Sequence, residues 1–274
     1  MNFSMRTLIA AASILLGPEA AFAQASPSPS ERGPDYNGDD LTRPESKFQL
    51  RLEDKTSGTT STTDTITLYM QPQGIFDLGS GWGLSWLAQV PVAWKSTPGS
   101  GSNPSSKDFG PGDIELEAVF IRAIDERWAF GFGARLITPS AEDRLGNGKW
   151  QILPGFGVRY SFSSNTYFVP KIRYAVSFGG DPSRRDISEP QIAPTFNIGL
   201  PNRWFVTLYP SFDIRINFGE PSSGQTGKLF FPFDASVGRK LSDNIVMSLE
   251  VSVPIVKDYP VYNFKTELRF SAKF

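Results

Sequence analysis

Every second residue from position 82 to position 94 is apolar: Trp82, Leu84, Trp86, Ala88, Val90, Val92 and Trp94, with an indole at each end. A strict period of two puts all of these side chains on one face of a strand. Tryptophan at both ends of such a face suits a segment that crosses two water interfaces, because the indole has an apolar body and a polar N–H. At about 3.3 Å per residue and a tilt near ~40°, the stretch rises about 30 Å, enough for the ~25 Å apolar band of a membrane barrel. The segment predicts a strand whose outer solvent is hydrocarbon.

Helices do not supply the spanning elements. Mean hydropathy is -0.23, and the one long uncharged apolar run, Leu8 to Leu16, is too short to cross as a helix. That run follows Arg6 and precedes Pro18 and the small-x-small triplet Ala21-Phe22-Ala23, which reads as a signal peptide over residues 1–23 cleaved before Gln24. A buried N-terminal helix fits less well, because nothing polar gives the run a second face. Residues 24–45 are rich in Ser, Pro, Gly and Asp and predict a flexible periplasmic segment, either trailing from the fold or entering it as a plug. Residues 46–274 remain for the barrel itself.

Composition removes several functions. The chain has no cysteine, which excludes a lipoprotein anchor, disulfides and thiolate metal sites. The net charge is -1, and losing Arg6 and Glu19 with the leader leaves it unchanged, so nucleic acid has no electrostatic footprint here. The absence of histidine excludes Ser-His and Asp-His hydrolases and ordinary zinc sites. The pattern Gly131-Phe132-Gly133, repeated as Gly155-Phe156-Gly157, lies within strand-like segments, so it makes room in a lumen rather than a phosphate loop. No enzymatic activity, cofactor or metal is expected.

Twelve alternating segments follow, near 46–55, 63–74, 82–94, 112–123, 127–138, 149–161, 166–178, 187–200, 203–217, 228–240, 245–256 and 261–274. Their connections alternate in length: Asp77 to Gly81, Ile124 to Glu126, Phe162 to Asn165, Pro201 to Asn202 and Ser242 to Asn244 are short, whereas Lys95 to Pro111, Pro139 to Gly148, Gly179 to Asp186 and Phe218 to Gly227 are long. Together these predict an all-β protein, a single antiparallel barrel of twelve strands in the bacterial outer membrane, with short periplasmic turns and longer extracellular loops. Trp82, Trp128, Phe168 and Trp204 each open a segment after a short turn and form an aromatic girdle, with Trp94 at the opposite rim. Outward parity also takes in Val206, Leu208, Phe212, Ile214 and Ile216, and in the last segment Tyr262, Phe264, Thr266, Leu268, Phe270, Ala272 and Phe274. A terminal aromatic on an alternating last strand resembles the signal read by the outer-membrane assembly machinery, which joins membrane lipid as an expected partner.

Inward parity is ionic. Asp113, Glu115 and Glu117 make one stripe, Arg135, Arg159, Lys171 and Arg173 the next, and Glu189, Asp213 and Arg215 bring acid back. Such charges either pair as structural salt bridges that fill the lumen, or line a water-filled path and set solute preference. Proline departs from the plain pattern: Pro154, Pro170, Pro190, Pro194 and Pro210 fall on outward parity and Pro232 and Pro254 on inward parity. Each deletes a ladder hydrogen bond. Pro194 and Pro210 are equidistant from the turn at Asn202, so they are expected side by side, either as a lateral opening or as a simple bend in the wall.

The stretches Phe109-Gly110-Pro111-Gly112-Asp113-Ile114-Glu115-Leu116, Gly146-Asn147-Gly148-Lys149-Trp150-Gln151 leading into Leu153-Pro154-Gly155, and Gln191-Ile192-Ala193-Pro194, with the closing Phe274, carry a resemblance. Over about residues 110–274 the chain resembles a family of proteobacterial outer-membrane proteins identified as meta-pathway phenol-degradation proteins or generic transporters. The resemblance implies a barrel that passes small solutes, often hydrophobic or aromatic, and assigns no binding residue. The expectation is a passive channel; the alternative is a sealed barrel acting through its extracellular loops.

Overall fold

The computed structural model describes residues 42–43, 45–58, 62–99, 104–219 and 226–274; the expected signal peptide and most of the 24–45 segment lie outside them. The strands are β1 (Lys47–Ser57), β2 (Thr63–Gly79), β3 (Trp82–Thr97), β4 (Ser106–Pro111), β5 (Glu115–Ala123), β6 (Trp128–Ile137) and β7 (Lys149–Ser161). They continue with β8 (Tyr167–Gly180), β9 (Ser188–Gly199), β10 (Trp204–Leu208), β11 (Ile214–Asn217), β12 (Lys228–Lys240), β13 (Ile245–Lys257) and β14 (Phe264–Lys273). All pair antiparallel in one sheet, which closes where β1 meets β14, from Lys47 opposite Lys273 to Thr56 opposite Phe264. Two pairs of strands each share one wall position, β4 with β5 and β10 with β11, so the fourteen strands make a twelve-position barrel. Closure leaves no edge, as hydrocarbon requires.

The face inversion is complete. Glu250, Glu267 and Asp234 are fully buried, whereas Ile255 is 61% exposed. Only a hydrocarbon exterior makes that arrangement stable, since a soluble protein hides the isoleucine and solvates the acids. On the outer face Phe120 stacks on Phe132 at 5.7 Å and Trp128 meets Tyr160 at 4.8 Å. Arg122 lies over the Trp82 ring at 5.2 Å and Arg239 over Trp204 at 5.5 Å, so the girdle beside the periplasmic turns pairs indoles with snorkelling guanidinium groups. Trp86 packs across the barrel surface onto Gly74, where a Cβ would come within 2.6 Å of the indole nitrogen.

The stretch expected to be a loop from Lys95 to Pro111 is instead mostly strand. β3 runs on to Thr97, and β4 returns along it, from Val92 opposite Pro111 to Thr97 opposite Ser106, as a hairpin standing above β5. Trp94 is held there by Phe109, ring centroids 5.0 Å apart. Inside, Gly131 faces Gly157 and Gly133 faces Gly155 across β6 and β7. This quartet bares a patch of inner wall and lets the backbones close in: a Cβ on Gly133 would sit 2.0 Å from the Ala118 carbonyl oxygen of β5.

Gly133→Ala is therefore expected to destabilise the barrel by about 1–3 kcal/mol, the usual range for overpacking. Gly179→Ala, whose new methyl would find its nearest neighbour at 3.9 Å, is expected to be silent. The temperature at which the folded band converts to the unfolded band on a detergent gel measures both; equal midpoints would contradict the packing argument.

Candidate functional site

The wall breaks at one place, and the break builds the lumen. β9 pairs with β10 up to Phe196 opposite Leu208, and pairing resumes only with β11, at Ile192 opposite Ile214. Between these points three residues, Ala193 to Thr195, face five, Tyr209 to Asp213, and the longer side folds inward. Tyr209 takes φ 51°, a left-handed conformation rare outside glycine, at the corner. Both freed backbone groups of Tyr209 are satisfied: the Thr195 hydroxyl donates to its carbonyl at 2.7 Å, and its N–H donates to the Asp234 carbonyl at 2.8 Å. Pro210 has no N–H to lose and is buried in the barrel.

Three outward assignments are corrected here: Pro210 turns inward to line the lumen, and Phe212 and Tyr262 also turn inward. Phe212 points into the lumen, 4.3 Å from the Arg173 guanidinium and 5.1 Å from the Lys171 ammonium. Parity counted from Trp204 fails because the surplus residues break the alternation. Tyr262 precedes β14 in a loop that tucks inward; it is fully buried and its hydroxyl donates to Asp213 at 3.1 Å, while Tyr259 of the same loop donates to Glu189 at 3.3 Å. Pro194 and Pro210 are not cross-strand neighbours, because the β9–β10 ladder ends at Phe196 opposite Leu208 and Pro210 has left it; Pro194 faces Pro170 on its β8 side, and Pro232 faces Pro254 where β12 shifts register.

An ion network holds the inward segment. Lys265 bridges the carboxylates of Asp213 and Glu250, and Arg269 bridges Glu250 and Glu267. Arg51 grips Glu267 with two hydrogen bonds of 2.9 and 2.7 Å, and Arg215 joins Asp213 at 3.0 Å to Glu189 at 3.6 Å. Ser211 donates to Glu250 at 2.8 Å and accepts from Arg269 at 3.1 Å, so the segment's own side chain is part of the network. Asp234 lies beside Glu250, fully buried with neither carboxylate oxygen hydrogen-bonded. The carboxylates of Asp213, Asp234 and Glu250 lie close enough to share a cation, but the Lys265 ammonium already bonds two of them.

The acidic and basic stripes meet across the opposite wall. Arg135 donates to Glu115 at 2.5 Å and to Glu117 at 2.7 Å. Asp113 serves the wall rather than the path: its carboxylate accepts the N–H groups of Ala141 at 3.2 Å and Asn147 at 2.7 Å, fastening the loop after β6. Arg159 is buried towards the periplasmic end of β7, near Ser161, which accepts a bond from Arg43 at 3.2 Å. Arg43 also lies 5.4 Å over the Tyr167 ring, so the chain just before β1 reaches the far wall at β7 and β8. On the extracellular side Lys149 bonds Asp186 at 2.7 Å, and that hydrogen bond holds the Asp186 carboxyl below the usual carboxylate range.

What remains open is a cavity of about 240 Å³ lined by Arg51, Tyr69, Gln71, Gln89, Arg135, Lys171, Arg173 and Phe212, among others. Of the sequence candidates, Glu115, Glu117, Arg135, Lys171, Arg173, Asp213 and Arg215 line it, whereas Asp113, Arg159 and Glu189 do not. Phe212, Ser211 and Tyr262 were missed as inner-site residues. The signal for the first two was the excess chain length around Tyr209-Pro210.

A closed all-β wall, apolar outside and ionic within, defines a bacterial outer-membrane β-barrel. The chain belongs to the family described as "Putative MetA-pathway of phenol degradation", which matches residues 34–212 and so takes in the first strands as well as the motifs near position 110. It is similar to the crystal structure of the COG4313 outer membrane channel from Pseudomonas putida F1, with 13% identity, a TM-score of 0.69, and coverage of 86% of this chain and 97% of that one. It is also similar to the β domain of the Bordetella autotransporter Brka, with 9% identity, a TM-score of 0.53, and coverage of 84% and 100%. No curated protein sequence matches the chain.

Lys265→Met is expected to cost about 3–5 kcal/mol of stability, because it leaves two buried carboxylates without their shared ammonium. Asp234→Asn is expected to be neutral or stabilising, since it replaces a buried carboxyl that has no donor by an uncharged side chain of nearly the same shape. Urea unfolding of the detergent-solubilised barrel, followed by tryptophan fluorescence, separates the two; an Asp234→Asn loss as large as the Lys265→Met loss would refute the assignment.

Proposed function

We propose that the protein is a passive channel for small solutes across the outer membrane, and that single-ring hydrophobic or aromatic compounds are within its range. The observation that carries this reading is the lumen cavity of about 240 Å³. A cavity of ~150 Å³ lined by apolar side chains holds benzene, so this one suits a substituted ring. Its wall of arginines, carboxylates and glutamines can hydrate a solute, while Leu87, Pro210 and Phe212 offer it an apolar side. The family to which the chain belongs, and the naming of the Pseudomonas putida F1 structure as a channel, support the same reading. Glu115, Glu117, Arg135, Lys171, Arg173, Asp213 and Arg215 are the residues that would set preference. The lipid hydrocarbon contacts the outer aromatic face, and the strand ending in Phe274 would be read by the assembly machinery.

A second reading concerns the exit. The ladder is interrupted between β9 and its neighbour, at Ala193 to Thr195 against Tyr209 to Asp213, and this favours a lateral opening flanked by Pro194 and Pro210. Because the chain has no native cysteine, Tyr209→Cys gives a single reporter thiol. Modification by both a charged water-soluble thiol reagent and a lipid-dissolved maleimide supports a lateral opening; modification from one phase only removes it.

Planar-bilayer recording tests the main reading. Wild type is expected to give single-channel steps, and Phe212→Ala, which removes the ring from the lumen, is expected to give larger ones. A silent wild type and a silent Phe212→Ala would favour a sealed barrel working through its loops.

A further inference from the structure

Among the described cations that line the cavity, Arg173 has no carboxylate. Its Nε donates to the Gln191 side chain at 2.6 Å, and among the described residues no group hydrogen-bonds its two terminal nitrogens. Its neighbours are already committed: Arg135 to Glu115 and Glu117, and Lys171 to the Pro210 carbonyl at 3.5 Å. Arg51, Arg215, Lys265 and Arg269, which also line the cavity, are held from behind by Glu267, Glu189 and Glu250. Glu115 and Glu117 lie near enough to attract the Arg173 guanidinium but spend their hydrogen bonds on Arg135, so its planar fork is left facing the cavity, and that fork matches a carboxylate in geometry as well as charge.

The surroundings of the fork are apolar on one side. The Phe212 ring lies 4.3 Å from the guanidinium, brought there by the inward segment. Arg173 faces Gly155 in register, and Gly133 and Gly155 leave a small recess between Leu153, Phe212 and Arg173. A dianion with polar groups all round gains nothing from that recess. A flat body carrying one carboxylate meets both sides, the charge on the fork and one face of the ring against Phe212.

We propose that Arg173 and Phe212 form a subsite for small carboxylate anions with an apolar, single-ring body. The place of this subsite on a transport path rests on the channel reading; binding itself does not. Titration calorimetry on the full-length barrel in detergent, with benzoate, benzyl alcohol, benzylamine and inorganic phosphate as probes, tests it. Benzoate is expected to bind more tightly than the other three. Arg173→Gln is expected to weaken benzoate about tenfold, equal to about 1.4 kcal/mol, and to leave benzyl alcohol unchanged. Phe212→Leu is expected to weaken benzoate and benzyl alcohol alike. Arg173→Lys, which keeps the charge and loses the fork, should fall between wild type and Arg173→Gln, and serves if the glutamine variant does not fold.

No benzoate binding to wild type, binding no tighter than that of benzylamine or phosphate, or equal affinity in wild type and the Arg173 variants would each overturn the subsite. Bilayer recording keeps the two ideas apart. A silent wild type that binds benzoate through Arg173 retires the channel and keeps the subsite. A conducting wild type that fails the binding test does the reverse.

Discussion

Hydrocarbon offers no hydrogen bond, so each backbone N–H and C=O in the wall must find its partner inside the protein, and the rest of the structure follows from that constraint. Closure between β1 and β14 satisfies it at the seam. The break beside β9 satisfies it differently, because five residues cannot pair with three. The surplus turns inward, where Thr195 and the Asp234 carbonyl supply what the ladder no longer does. A proline at position 210 costs nothing once that residue has left the ladder.

Turning polar side chains inward moves the folding problem from apolar packing to charge satisfaction. Lys265, Arg269 and Arg51 thread between Asp213, Glu250 and Glu267, and every one of those acids has two cationic partners or a fork. Buried pairs of this kind add little net stability over apolar packing, but removing one member is expensive. The network therefore fixes the position of the inward segment more than it strengthens the barrel. Ser211 and Asp213 belong to both, so the conformation of the segment and the integrity of the network depend on each other.

Much of the wall was legible because period two is a direct consequence of strand geometry, and lipid punishes any exception. The twelve segments, the short turns and the girdle at Trp82, Trp128 and Trp204 all follow from that rule. It fails where the chain leaves the strand. Phe212 and Tyr262 obey outward parity on paper but follow a bulge and a loop, so their side chains face the lumen. Proline pairing fails for the same reason: the register counted from the turn holds only to Phe196 opposite Leu208, and Pro210 lies in the surplus that leaves the ladder beyond it. Asp113 has the residue type and parity of a lumen carboxylate, yet lies at the switch from β4 to β5, where two loop amides claim it.

Position 212 shows how wall and lumen are coupled. The residues that leave the ladder are the ones that narrow the path, so the gap in the wall and the ring in the cavity have a single origin in chain length. Side-chain rotation alone cannot undo either one, since the surplus of two residues remains whatever the rotamers do. Phe212 then needs somewhere to lie, and the glycine quartet of β6 and β7 supplies bare wall near it while Arg173 supplies a cation for its face. Features far apart in the sequence, Gly133, Gly155, Arg173 and Phe212, thus form one inner surface. It is the part of the lumen least occupied with satisfying its own charges.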